Sequence, residues 1–155
     1  MKFFLKLFIL ILLILPVKSF GQNVNSYNID AKLDSENNTL EISQIMKFKN
    51  TSNIPLKEII LEDWSNSYVS NRTKLAKRIS DEYSRSFTFA KKKQRGSTLI
   101  KSINSLNVDS WKRSDNKSDI IEIYLKKKIQ KGESIEIKIN YTVKLPDSKF
   151  TGYGF

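Results

Sequence analysis

Apolar and polar residues alternate with a period of two over most of this chain. Tyr27, Ile29, Ala31 and Leu33 are separated by Asn28, Asp30 and Lys32, the pattern of a strand with one wet face. Ser35-Glu36-Asn37-Asn38 reads as a turn, and Leu40, Ile42, Met46 and Phe48 then share one face of a second strand. The two predict a hairpin. The pattern breaks from Asn50 to Pro55 and resumes over Leu56 to Leu61. Further on, Ile121, Ile123 and Leu125 alternate with Glu122, Tyr124 and Lys126, and Lys131-Gly132-Glu133 turns the chain. Ile135, Ile137, Ile139, Tyr141, Val143 and Leu145 form the longest alternation, which Pro146 ends because proline donates no ladder hydrogen bond.

Between these strand groups the period lengthens. Leu75, Ile79 and Tyr83 recur at four-residue steps, with Ala76 beside the stripe and Ser70 or Asn71 placed to cap. This predicts a short amphipathic helix from about Arg72 to about Ser86, lying across one face of the sheet. Phe87 and Phe89 continue as apolar anchors, and Lys91 to Arg95 form a basic loop closed by Gly96. Thr98 to Ile103 returns as a strand, whereas Asn107 to Asn116 is expected to be an exposed connection holding Trp111. Antiparallel strands, short turns and a segregated helix give a mainly β fold class: an antiparallel β-sandwich or saddle-like domain with one short inserted amphipathic helix.

The N-terminus follows a different pattern. Lys2 and Lys6 precede an almost unbroken apolar run from Phe3 to Leu15, Pro16 ends it, and Ser19-Phe20-Gly21 supplies small residues at the −3 and −1 positions of a cleavage before Gln22. That is a secretory leader. The run is shorter than the roughly 20 residues a membrane-spanning helix needs. Residues 1 to 21 are therefore read as a removed signal peptide, and 22 to 155 as one β-rich domain in the periplasm or outside the cell, with no stable membrane anchor after cleavage. The length of 22 to 155 suits a single domain.

Composition narrows the chemistry. The 155 residues contain no histidine and no cysteine beside 16 carboxylates, and the net charge is +11, lowered by three when Lys2, Lys6 and Lys18 leave with the leader. The usual zinc ligands, the neutral-pH proton shuttle and the thiol nucleophile are absent from the sequence, as are disulfides. No catalytic, cofactor-binding or metal-ligating residue is assigned. Lys91-Lys92-Lys93-Gln94-Arg95 and Lys126-Lys127-Lys128, with Phe89 and Tyr124 near, have the make-up of a nucleic-acid surface. Export and interleaved acids favour a solvated loop and a lysine-protected edge instead, so no nucleic acid is expected as a partner. Trp64 and Trp111 are candidate platforms but better read as core aromatics. Asp81-Glu82 with Asp63 or Asp115 would make a hydrolytic carboxylate couple only if the fold brought them together. Asn50-Thr51-Ser52 is a glycosylation sequon.

The order of these pieces resembles a known family. Tyr27 to Leu33, the turn, Leu40 to Phe48, Asn50-Thr51-Ser52, Pro55-Leu56 and Ile59 to Leu61 are similar to the opening of the aminopeptidase-N-like (gluzincin) zinc metallopeptidases, whose first domain is β-rich and noncatalytic. Asp63-Trp64, Leu75-Ala76-Lys77-Arg78, Asp81-Glu82, Arg85-Ser86-Phe87 and Arg95-Gly96-Ser97-Thr98 resemble the version in exported proteins of Bacteroidetes-type bacteria. Gly132-Glu133-Ser134 and Lys144-Leu145-Pro146-Asp147 through Phe155 fit the end of the same domain.

The resemblance implies a scaffold rather than an enzyme. In that family H-E-x-x-H with a downstream Glu holds zinc, and G-x-M-E-N recognises a free amino terminus; neither motif occurs here. Zinc is expected only in a downstream catalytic domain, and this domain's partner is that catalytic domain, in cis. On this view Gly152-Tyr153-Gly154-Phe155 is not a natural ending, and an apolar surface is left exposed. The alternative is an autonomous exported β-sandwich that binds a partner or polyanionic surface through its basic loops.

Overall fold

Six of the seven strands among the described residues lie where the sequence predicts strands. The computed structural model describes residues 25–82, 85–114, 116–151 and 154–155, so the leader segment and Tyr83 lie outside the described residues. The strands are β1 (Ser26–Asp34), β2 (Thr39–Lys49), β3 (Leu56–Glu62), β4 (Ser97–Asn104), β5 (Val108–Ser114), β6 (Lys117–Ile129) and β7 (Ser134–Lys144). They form two antiparallel sheets, one of four strands in the order β1-β2-β7-β4 and one of three in the order β3-β6-β5. The protein is mainly β, a two-sheet sandwich with short helices.

Facing residues make one core. Met46, Ile135, Ile137 and Ile139 of the larger sheet meet Ile59, Ile121, Ile123 and Leu125 of the smaller one. Ile123 and Ile137 are fully enclosed, and burying each such side chain contributes about 1.5–3 kcal/mol. The β1–β2 turn is fixed locally. Asp34 Oδ1 accepts the backbone N–H groups of Glu36 and Asn37 at 3.1 Å, and Asn38 takes a positive φ of 52°, which asparagine tolerates better than most residues.

The insert between β3 and β4 differs from expectation. The helix α1 spans Lys74–Asp81, and its cap is Thr73, whose Oγ1 accepts the Ala76 N–H at 3.2 Å. A 310 turn, Trp64–Tyr68, precedes it and a one-turn helix α2, Ser86–Phe89, follows. Instead of lying across a sheet face, α1 packs on these two neighbours. Tyr68, Ala76, Phe87 and Ala90 form a second cluster with Leu75, Ile79 and Phe150 against it. The 310 turn intervenes because Asp63 caps it, which carries the chain off the sheet edge before α1 begins.

Most of the segment from Asn107 to Asn116 is a strand and not an exposed connection. Residues 108–114 are strand β5, paired antiparallel with β6, and Trp111 packs against the main core. Register shifts fall between Val108 and Ser110 and between Arg113 and Ser114, and the first puts the core-side Val108 and Trp111 three apart instead of two. A bulge hides a strand from period-two reading.

Candidate docking face

The larger sheet is one strand wider than the smaller, and β1 is the surplus. In register, Tyr27 faces Met46, Ile29 faces Gln44, Ala31 faces Ile42 and Leu33 faces Leu40. Directly opposed residues point to the same side of a sheet. Met46 is in the core, so the apolar side of β1 points the same way, beyond the reach of the three-stranded sheet. Tyr27, Ile29 and Leu33 are therefore 55%, 54% and 59% exposed. The strand pattern identified their side of the sheet correctly; what it could not supply was a cover.

This face runs into a cleft of about 530 Å³ between the two sheets. Leu40, Ile42, Tyr141 and Val143 lie on one side of it and Leu61 to Trp64 on the other, with Tyr27 at the rim. Its size is that of a site able to receive apolar groups, and so is its mainly apolar lining. Two polar pairs line it: Thr98 with Asp63, and Tyr141, which donates its hydroxyl to Gln44 Oε1 at 2.8 Å. Burial, and then the negative charge of Asp63, push the Tyr141 phenol above its ordinary value. The hydroxyl therefore stays a neutral donor.

Asp63 closes the end of the cleft as a structural anion. Its Oδ2 accepts from Arg113 Nη2 at 2.7 Å, and its Oδ1 accepts from Thr98 Oγ1 at 2.7 Å and the Asn66 N–H at 3.3 Å. Arg113 also donates to the carbonyls of Ser118 and Thr98. Trp64, beside it, is 58% exposed and meets Tyr68 edge-on, with ring centroids 6.4 Å apart. Of the two tryptophans, then, Trp111 is a core-side residue and Trp64 belongs to the open surface.

The other candidates from the sequence are dispersed. Glu82 is bound by Arg78 on the exposed side of α1 at 2.9 Å, Asp63 is engaged by Arg113, and Asp115 lies outside the described residues. Among the described residues no group of three or more acidic, histidine or cysteine side chains could hold a metal ion, and no helix is long and apolar enough to cross a membrane. The two basic runs sit at opposite ends of β4, and Lys126-Lys127-Lys128 belong to β6, the middle strand of the smaller sheet, not to an edge strand as expected. Lys91 to Arg95 precede β4, where Arg95 Nε binds the Ala90 carbonyl; Lys126 and Lys127 meet Leu106 and Asn107 just after it. Phe89 is open to solvent, while Tyr124 donates to Glu122 at 2.6 Å.

Asn50 is a corner and not a surface acceptor. It is fully buried, its Nδ2 donates to the carbonyls of Ile54 and Ile129, and its Oδ1 accepts from Ser52 N–H and Oγ. The folded chain leaves the sequon's amide no room for a glycan.

Comparison with protein-family models, with curated proteins and with solved structures returned no match for this chain.

Proposed function

We propose that the chain is a noncatalytic scaffold domain of an exported zinc-peptidase-like protein, and that its open β1–β2 face packs on a catalytic domain lying outside these 155 residues. The observation that supports this most is the uncovered apolar side of β1, continuous with the cleft. Covering Tyr27, Ile29 and Leu33 would contribute about 1 kcal/mol each, half of what full burial gives. Soluble domains rarely leave so continuous an apolar strip bare without a partner for it. The separation of the two basic runs favours this docking role over recognition of a polyanion, which works best with one converged positive surface. Zinc would belong to the partner domain, and the chain's own part is to shape and shield.

The purified chain should bind a dye that fluoresces on apolar surfaces. The triple variant Tyr27→Ser, Ile29→Ser, Leu33→Ser should lose most of that signal while keeping cooperative unfolding. Extending the chain with the next in-frame domain should quench it in the same way. A chain that binds no dye would remove the docking role. A downstream reading frame without H-E-x-x-H would remove the zinc-peptidase assignment.

A further inference from the structure

The free edge of β1 is unlike the other strand edges of the molecule. The four edge strands among the described residues are β1 and β4 of the larger sheet and β3 and β5 of the smaller. β3, β4 and β5 each carry a register shift, and bulges are one of the ways proteins keep an edge from pairing with another chain. β1 has none. Its nine residues match β2 without interruption, contain no proline or glycine, and are exposed from Ser26 to Leu33. A long, regular, exposed edge offers unpaired N–H and C=O groups in the plane of the sheet.

We propose that this edge pairs with a second copy of the chain, antiparallel and centred on Ala31, joining the two larger sheets into one eight-stranded sheet. The side chains select that partner. With Ala31 opposite Ala31 of the copy, each Asp30 faces a Lys32, and each Ile29 faces a Leu33. Opposite charges and apolar pairs directly across a ladder are the favourable combinations. Shifting the centre by one residue sets Asp30 against Asp30, or Lys32 against Lys32. Displacing one copy by a single residue relative to the other instead turns apolar residues toward polar ones.

The rest of the molecule leaves these two charges available. Glu41, opposite Lys32 in β2, is engaged by Lys101 at 3.0 Å, and Asp30 stands opposite Ser43. Neither Asp30 nor Lys32 is in an ion pair among the described residues. In a chain of net charge +11, most surfaces of two copies repel. Asp30, Lys32 and Asp34 make β1 an exception, since the strand carries two acids to one base. The inference goes beyond the docking role and uses a different surface. Asp30 and Lys32 point to the opposite side of the sheet from Tyr27, Ile29 and Leu33, so the pairing extends the apolar face without covering it.

Charge exchange tests the pairing. Sedimentation of the chain should show a concentration-dependent dimer. Asp30→Lys and Lys32→Asp, made singly, should each weaken the dimer by about tenfold or more, because two attractive pairs become repulsive. The double variant, Asp30→Lys with Lys32→Asp, should restore it. At concentrations too low to dimerise, all three should stay folded and unfold near the denaturant concentration of the parent, since both side chains are exposed and the one new like-charge contact within the chain is that of Lys32→Asp with Glu41 opposite. The absence of native cysteine allows a second reading. Ala31→Cys should cross-link to its copy on mild oxidation, because directly opposed residues lie about 4.5–5.5 Å apart, within disulfide reach. A chain that stays monomeric, or a dimer indifferent to both single reversals, would overturn the proposal. Neither outcome would touch the dye-binding test, which reads the other side of the sheet.

Discussion

Asp63 accepts hydrogen bonds from three places: its own 310 turn, β4 through Thr98, and β5 through Arg113. Those strands belong to different sheets, so one carboxylate fastens the end of the sandwich. Asp63→Ala should cost about 2–4 kcal/mol, measured by urea unfolding, because it leaves a mostly buried guanidinium short of its counter-charge. Removing Arg113 as well, with Arg113→Met, should recover part of that loss. A change below about 0.5 kcal/mol for Asp63→Ala would show the contact to be ornamental. On the outer side of the smaller sheet, Glu122 holds a different balance. The Tyr124 hydroxyl chiefly, then Ser114 and Lys112, keep the Glu122 carboxyl below its ordinary value against the opposing effect of desolvation. A lowered carboxyl favours the folded state above the ordinary glutamate value, and that contribution is lost as pH falls through the lowered one. Tyr124→Phe should therefore raise the Glu122 titration midpoint followed by carboxyl NMR, and a midpoint that stays put would exclude the hydroxyl as the cause.

The eight-residue helix α1 is too short to stand alone in water. It persists because Thr73 caps it and because Leu75, Ala76 and Ile79 pack against Tyr68 and Phe87, whose rings meet edge-on at 5.8 Å. Thr73 Oγ1 also donates to the Ser67 carbonyl at 2.6 Å, so the cap ties α1 to the preceding 310 turn. Thr73→Ala should cost about 1 kcal/mol. Amide exchange should quicken in α1 and in the turn while β6 and β7 keep their protection. Uniform quickening across all strands would mean that the helix cluster and the sandwich unfold as one unit. A period of four found this helix but neither of its ends: the pattern predicts about Arg72 to about Ser86, and the helix spans Lys74–Asp81. Three residues here, Ser70, Asn71 and Thr73, are of capping type, and only the position of the preceding turn selects among them.

At the scale of the molecule, the mismatch between a four-stranded and a three-stranded sheet creates both surfaces argued above. The apolar face exists because nothing in the smaller sheet reaches β1, and the pairing edge exists because β1 is last in the larger. Local pattern decided that β1, β2, β6 and β7 are strands and which side of each is apolar, since side-chain direction in a strand depends only on parity; the full length of β6, Lys117–Ile129, it did not give. It also decided the turns at Ser35–Asn38 and Gly132, where backbone conformation restricts the residue types. Tertiary structure alone decided that Val108–Ser114 is a strand, because bulged pairing with β6 overrides a broken period. The same holds for the burial of Asn50, the joining of Asp63 to Arg113 50 residues away, and the exposure of Tyr27, Ile29 and Leu33. Alternation states that a strand has an apolar side; whether that side is covered depends on how many strands lie opposite, a sum over distant contacts that no stretch of sequence contains.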